Sequence, residues 1–146
     1  PFRRRAQTNG STAEGAAVLT GGGRALEGGY FVKPTVFVDT HASMRIVREE
    51  IFGPVLAAMP FDDVEDAIAK ANDTPFGLAA SVWSQNLSAV HRIVPRLKAG
   101  TVWVNTHNML DNNLPLGGYK QSGYGRDLGR AAVESYTAIK IGCMSV

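Results

Sequence analysis

Two adjacent carboxylates close to an aromatic residue are the side chains of this sequence best suited to bind a ligand. Glu49 and Glu50 lie in the segment REEIFGPV, three and two residues before Phe52 respectively, and Gly53-Pro54 then predicts a stiff turn. Neighbouring side chains on an extended backbone point apart, so we expect only one carboxylate to face any given ligand. A carboxylate and a ring on such a turn could bind a ribose, as acidic residues do in dinucleotide sites. The alternative is a solvated acidic corner with Phe52 in the core.

Other reactive side chains lack the neighbours that catalysis needs. Cys143 is the only cysteine, so the sequence cannot form an internal disulfide, which indicates a reducing compartment such as the cytoplasm. No histidine or carboxylate lies near Cys143 in sequence, which predicts a buried, small hydrophobic residue rather than a nucleophile. The histidines show no metal-ligand spacing, and we predict no metal site.

The glycine-rich segments do not meet the requirements of phosphate-binding loops. No Lys-Ser/Thr pair follows Gly21-Gly22-Gly23, and no strand immediately precedes the GxGxxxG pattern of Gly123 to Gly129. We therefore expect a surface turn at the first segment and the turn into a last helix at the second. Ser122 lacks the strand–turn–helix context of a nucleophile elbow.

The composition is that of an ordinary globular domain. The 146 residues are 45% hydrophobic and 19% charged, and the net charge of +2 gives no reason to expect a nucleic-acid partner. The basic run Arg3-Arg4-Arg5 is interpreted as a solvated tail. No apolar run is long enough for a membrane span, so we expect no membrane partner.

Alternating strand and helix signals predict an α/β fold with a parallel βαβ sheet. The predicted strands are Tyr30 to Val38, limited by Pro34 to an edge or a bulged strand, and Val55 to Phe61, Leu78 to Trp83, Thr101 to Asn105 and Thr137 to Val146. The continuously apolar Val55 to Phe61 is expected to be covered on both faces. One helix is capped by Asp62 or Asp63, with Val64, Ala67, Ile68 and Ala71 on its buried side.

A second predicted helix starts at Ser84 or Asn86. Its inward residues would be Leu87, Val90, Val94 and Leu97, with Pro95 shifting the last turn and Gly100 as the C-cap. Ligands of parallel sheets lie beyond the carboxyl ends of the strands. The loop after Asn105 is therefore the predicted pocket wall.

Five segments in this order resemble the C-terminal region of the NAD(P)-dependent aldehyde dehydrogenase family. They are GGYFVKPTVF, EEIFGPV, NDTPFGLAASVW, GTVWVN and PLGGYKQSGYGRDLG, and the resemblance runs from about Glu14 to Val146. It implies the C-terminal part of a catalytic domain over residues 1–136 and an oligomerisation strand over residues 137–146. It also implies a helix before Ala16 and a last helix whose sheet-facing side is Leu128, Ala131, Ala132 and Tyr136.

The resemblance implies roles for several side chains. Glu50 would bind the ribose hydroxyls next to the nicotinamide of NAD or NADP, and Phe52 would pack against the cofactor. Asn108, Leu110 and Leu116 would line the tunnel for the aldehyde, where many members carry aromatic residues at the two leucine positions. Alternatively, the leucines only hold the loop in place. The THN sequence is similar to that of enzymes acting on arylacetaldehydes. Asp127 stands where the family has Glu, as a possible proton relay near the active site; alternatively it is an acidic residue favoured at a helix N-terminus.

The implied reaction is oxidation of an aldehyde to a carboxylic acid. A cysteine thiolate attacks the carbonyl, hydride passes to NAD(P), and a glutamate-activated water releases the acid. The nucleophile, the general base and the Rossmann half are expected upstream of Pro1, so we predict that this chain alone is inactive. The terminal strand implies a homo-oligomer. Two alternatives remain: a non-catalytic assembly module, and a free-standing nucleotide-binding domain suggested by the βαβ pattern alone.

Overall fold

The fold, a computed structural model, is described for residues 13–146 and consists of two compact units that meet in sequence between Asp63 and Val64. The helix predicted before Ala16 falls mainly on residues 1–12, outside the described residues. Over residues 13–146, no helix combines the length and apolar character needed to cross a membrane.

The first unit is built on a three-stranded sheet with the order β1-β2-β3. β1 (Ala17–Thr20) pairs antiparallel with β2 (Thr35–Val38), and β2 pairs parallel with β3 (Val55–Ala57). The short helix α1 (Arg45–Arg48) lies between β2 and β3 in sequence. This parallel pair supports the predicted α/β class.

The segment around Pro34 forms a shorter and more central strand than predicted. β2 begins at Thr35 and is the middle strand of its sheet, so the edge position predicted from Pro34 is wrong. The pairing of β2 with β1 does contain an irregularity, which lies between Val18 and Thr20 of β1. Pro34 lies just before the strand, where its missing N–H removes no ladder hydrogen bond. The turn at Gly21-Gly22-Gly23 is bonded to the first residue of β2, because the Gly22 amide donates to the Thr35 hydroxyl at 2.9 Å.

A small apolar cluster holds the first unit together. Phe37 of β2 is fully buried, and the other members are Ala16, Met44 and Ile46, with Val47, Ile51 and Val55 packed against them. Full burial of a phenylalanine on the central strand stabilises the sheet by roughly 1.5–3 kcal/mol. This cluster fixes the segment that leads from α1 into β3.

The strand after the central corner is shorter and more exposed than predicted. β3 ends at Ala57, and the side chains of Leu56 and Phe61 are 57% and 62% exposed. The prediction that Val55 to Phe61 is covered on both faces is therefore wrong for this chain. Apolar composition shows what a strand could bury, whereas burial itself requires a packed neighbour on each face.

The second unit alternates helices and short strands. Its elements are α2 (Val64–Asn72), β4 (Phe76–Gly77), β5 (Ala79–Val82), α3 (Leu87–Ile93), a 3-10 turn (Val94–Arg96), β6 (Thr101–Val104), β7 (Tyr119–Lys120) and α4 (Gly129–Glu134). β5 and β6 are parallel, with Ser81 opposite Trp103, and β4 pairs antiparallel with β7. The succession β5–α3–β6 confirms one predicted βαβ unit, and the strands belong to separate small sheets rather than to one continuous sheet.

Most of the sequence predictions for the start and end of α3 are confirmed. The Asn86 side chain accepts from the Ala89 amide at 3.1 Å, which confirms Asn86 as the N-cap. Pro95 lies in the 3-10 turn, so the last turn shifts as expected. Leu87, however, is mostly exposed, and its predicted inward position is wrong because the first turn of α3 has no packed neighbour on that side.

Gly100 has a packing role rather than the predicted capping role. It lies three residues beyond the C-cap of the 3-10 turn, and its amide donates to the Gly77 carbonyl at 3.0 Å. A Cβ at Gly100 would overlap the carbonyl oxygen of Gly117 and lie 2.8 Å from that residue's carbonyl carbon. Glycine is needed here because two backbone segments approach closely.

The last ten residues form neither helix nor strand, so the predicted strand from Thr137 to Val146 is wrong for the isolated chain. A strand exists only through pairing, and within residues 13–146 no segment pairs with this one. Cys143 is exposed, not buried as predicted, because nothing covers this segment. Tyr136, expected on the sheet-facing side of the last helix, is also exposed, as it follows the end of α4.

Candidate functional site

The two carboxylates that follow α1, Glu49 and Glu50, have different surroundings. The Glu49 carboxylate accepts hydrogen bonds from Arg45 at 3.1 and 3.2 Å, one helical turn away. That hydrogen bond and the charge of Glu49 raise the pKa of the Arg45 guanidinium. At the other end of α1, Glu14 accepts from the Arg45 amide at 2.9 Å. The Glu49 carboxylate is therefore engaged by Arg45.

Glu50 and Phe52 are both presented to solvent. Glu50 is exposed, and within the described part of the chain no hydrogen bond or ion pair involves its carboxylate. Phe52 is 77% exposed, whereas Ile51 between them packs against the apolar cluster of the first unit. The alternative with Phe52 in the core is therefore wrong. Ile51 therefore faces inward and its two neighbours face outward.

Phe52 also has an uncommon backbone conformation. Its φ of 54° lies in the left-handed region, which bulky residues rarely adopt. Such strained residues persist where the surrounding structure fixes them, and they concentrate at functional sites. An exposed ring held this way beside a free carboxylate can cover a flat ligand while the carboxylate accepts hydrogen bonds from hydroxyls. This fits the predicted cofactor contact of Glu50 and Phe52.

In the second unit, the carboxyl ends of β5 and β6 are joined by one side chain. Asn105 follows β6 with a φ of 53°, and its side-chain oxygen accepts from the Ser84 amide at 2.8 Å. Its side-chain nitrogen donates to the Ser84 carbonyl at 2.9 Å. The loop predicted to form a pocket wall therefore starts from a fixed point at the carboxyl ends of two parallel strands.

A second group of residues holds the loop further along. The indole N–H of Trp103 donates to the Met109 carbonyl at 2.8 Å, and the Trp103 and His107 rings meet edge to face with centroids 5.4 Å apart. His107 Nδ1 and the Ser81 hydroxyl are hydrogen-bonded at 2.8 Å. Sequence reasoning missed these contacts, since no local pattern indicates that the loop turns back over the strand before it.

The three predicted tunnel residues differ in their surroundings. Asn108 is exposed with a φ of 56°, and Leu110 is also exposed. Leu116 is half-buried and exchanges backbone hydrogen bonds with Asp127, both at 2.7 Å. Asn108 and Leu110 thus flank the residue whose carbonyl is held by Trp103, and Leu116 marks the far end of the loop.

Asp127 is fixed by its backbone rather than by its side chain. It is exposed and lies one residue before Leu128, the N-cap of α4. Its position agrees with an acidic residue near a helix N-terminus, and its role as a proton relay remains a prediction.

Arg126 organises the glycine-rich segment between β7 and α4. It donates to the carbonyls of Gly118 at 3.0 Å and Gly125 at 2.8 Å, and its guanidinium lies 5.6 Å from the centre of the Tyr119 ring. Arg126 thus hydrogen-bonds to the backbone carbonyls of this segment, which agrees with the predicted turn into the last helix. In the described range 13–146, no three His, Cys, Asp or Glu residues are grouped as metal ligands would be.

Comparison with known proteins identifies relatives over nearly the whole chain. The sequence matches the aldehyde dehydrogenase family over residues 3–141. It is 50% identical over 129 residues to a phenylacetaldehyde dehydrogenase of Pseudomonas fluorescens, covering 87% of this chain and 26% of that protein. It is 48% identical over 132 residues to a betaine aldehyde dehydrogenase of Brucella anthropi, covering 88% and 27%.

The fold agrees with a solved structure as well. An NAD+ complex of an aldehyde dehydrogenase from Bacillus cereus superposes with a TM-score of 0.89 at 49% identity, covering 96% of this chain and 29% of that one. The chain therefore spans about a quarter of the length of the curated relatives it matches. Because the match includes almost every residue in both sequence and structure, the chain belongs to the aldehyde dehydrogenase family.

Proposed function

We propose that this chain works as part of an aldehyde dehydrogenase that oxidises an aldehyde to a carboxylic acid with NAD or NADP. The observation that carries the proposal is the free, exposed Glu50 beside the exposed, left-handed Phe52. Family membership and the named activities of the relatives support it. The NAD+ complex of the Bacillus cereus protein supports NAD as the cofactor.

In this proposal, the first unit contributes to cofactor binding. Glu50 accepts hydrogen bonds from the ribose hydroxyls next to the nicotinamide, and Phe52 packs against the cofactor. Glu49 is excluded from this role by its ion pair with Arg45. When bound, NAD(P) supplies the hydride acceptor, and the carboxylate orients it.

The second unit contributes to aldehyde binding through the loop that contains Asn108, Leu110 and Leu116. Leucines at the last two positions favour an apolar aldehyde side chain, and the similarity to a phenylacetaldehyde dehydrogenase supports an arylacetaldehyde. The nucleophile would come from residues other than Cys143. That thiol is exposed in an unpaired segment, and within the described residues no base is hydrogen-bonded to it.

The test compares two neighbouring carboxylates in the complete enzyme. Glu50→Gln should lower kcat and the single-turnover rate of hydride transfer roughly tenfold or more, since a hydrogen bond to a charged group contributes about 1.5–3 kcal/mol. The Kd for NAD+ should change less. Glu49→Gln is the matched control, because it changes the adjacent carboxylate, which is already engaged by Arg45. Equal turnover and hydride-transfer rates in Glu50→Gln and the parent enzyme would refute the role of Glu50.

A second proposal concerns assembly. The segment from Thr137 to Val146 is apolar and exposed, with the side chains of Ile139, Ile141 and Met144 almost entirely in solvent. Such a segment invites pairing with a partner. We propose that it forms a strand in a homo-oligomer of the complete enzyme, and the same feature supports the alternative of an assembly module.

A further inference from the structure

We propose that Trp103 is a positioning residue that sets aldehyde specificity by holding the backbone between Asn108 and Leu110. This inference rests on the proposed function and assigns to it residues outside the predicted tunnel lining. Its starting point is the hydrogen bond from the Trp103 indole to the Met109 carbonyl, 2.8 Å long.

The register of β5 and β6 explains why Trp103 can reach the loop. Trp103 lies opposite Ser81 in the parallel ladder, so the two side chains share one face of the sheet. Asn105 ends β6 in a left-handed conformation, fixed by its two bonds to Ser84. The chain then turns back, which brings His107 onto Ser81 and Met109 onto Trp103.

Three loop residues are therefore held at alternate positions: Asn105 by Ser84, two residues after β5, His107 by Ser81 of β5, and Met109 by Trp103 of β6. Asn108 and Leu110, the residues predicted to contact the aldehyde, lie on either side of the last of these positions. Asn108 itself has a φ of 56°, a conformation that a free loop would visit only part of the time. Holding the Met109 carbonyl therefore selects one arrangement of the two contact residues before the aldehyde arrives.

The test uses the complete enzyme and the substitution Trp103→Phe, which keeps an aromatic ring beside His107 but removes the indole donor. Trp83→Phe is the matched control. Trp83, the other tryptophan, directly follows β5, and within residues 13–146 its indole makes no hydrogen bond. Loss of one hydrogen bond should raise KM for phenylacetaldehyde roughly two- to tenfold in Trp103→Phe. The kcat, the KM for NAD+ and the KM for acetaldehyde, which has no side chain to reach residues 108–110, should change less than about twofold.

A second pair of variants separates positioning from folding. Ser81→Ala removes the partner of His107 and should raise KM for phenylacetaldehyde in the same direction, whereas Ser81→Thr keeps the hydroxyl and should restore it. An active enzyme with the same KM for phenylacetaldehyde in Trp103→Phe and Trp83→Phe would overturn the positioning role alone. A general loss of kcat with both aldehydes would also overturn it, since that indicates a structural role. A parent enzyme that oxidises no aldehyde would instead overturn the proposed function, and the inference with it.

Discussion

Substituting Gly100 by alanine tests whether the close approach of two backbone segments is essential in the second unit. The added methyl carbon would lie 2.8 Å from the Gly117 carbonyl carbon and 3.5 Å from the Gly118 Cα, and would overlap the Gly117 carbonyl oxygen. Carbon atoms pack at about 3.5–4.0 Å, so the first contact is too short by roughly 0.7 Å or more. The obstacle is backbone, which cannot rotate away as a side chain can.

The expected loss of stability follows from two opposing effects. Overpacking costs about 1–3 kcal/mol, and a rigid neighbour places Gly100→Ala at the upper end of that range. Alanine also restricts the unfolded chain more than glycine does, which offsets about 0.4–1 kcal/mol of this cost. Because this chain spans about a quarter of the length of its relatives, the net destabilisation of about 2 kcal/mol should lower the thermal midpoint of the complete enzyme by roughly 2 °C.

The assay is thermal unfolding of the complete enzyme with Gly125→Ala as the control. A Cβ at Gly125 would meet no atom within 4 Å, so that variant should unfold like the parent. Gly117 adjoins Leu116, and Gly100→Ala should therefore also raise KM for the aldehyde. Midpoints of Gly100→Ala and Gly125→Ala that agree within about 1 °C would show that the backbone approach is not tight.

Two further predictions concern an ion-pair group and the terminal segment. Hydrogen bonds from Arg96 and Arg92 lower the pKa of Glu65 to about 2 from its usual 4.5, so the stability that this carboxylate contributes is complete above pH 4.5 and is lost as the pH falls toward 2. Thermal midpoints of the complete enzyme should accordingly fall less steeply between pH 5 and pH 2 in Glu65→Gln than in the parent, and identical slopes would contradict this. Deleting residues 137–146 from the complete enzyme should lower the mass measured by size exclusion with light scattering, and an unchanged mass would argue against oligomerisation through this segment.

Features decided by neighbouring residues in sequence were predictable. The cap at Asn86 and the 3-10 turn at Pro95 follow from local backbone chemistry, whereas the sequence left open whether Phe52 faces the core or solvent. The family itself was evident from five short segments.

Features decided by distant contacts were not predictable in this way. The exposure of Leu56, Leu87 and Cys143 depends on whether another element covers them, and apolar character does not carry that information. The bond from Trp103 to Met109 depends on how a loop turns back after left-handed Asn105, and asparagine adopts that conformation only in some contexts.

The loop between Asn105 and Leu116 is fixed at both of its ends, which has a consequence for how the proposed enzyme could change its substrate range. Asn105 is tied to Ser84 at one end, and Leu116 is tied to Asp127 at the other. Residues between these anchors can vary in identity while the flanking scaffold keeps its geometry. In the proposed enzyme, substitutions at loop positions between the held residues, such as Asn108 and Leu110, could therefore change the substrate range while His107 and Met109 keep the loop in place.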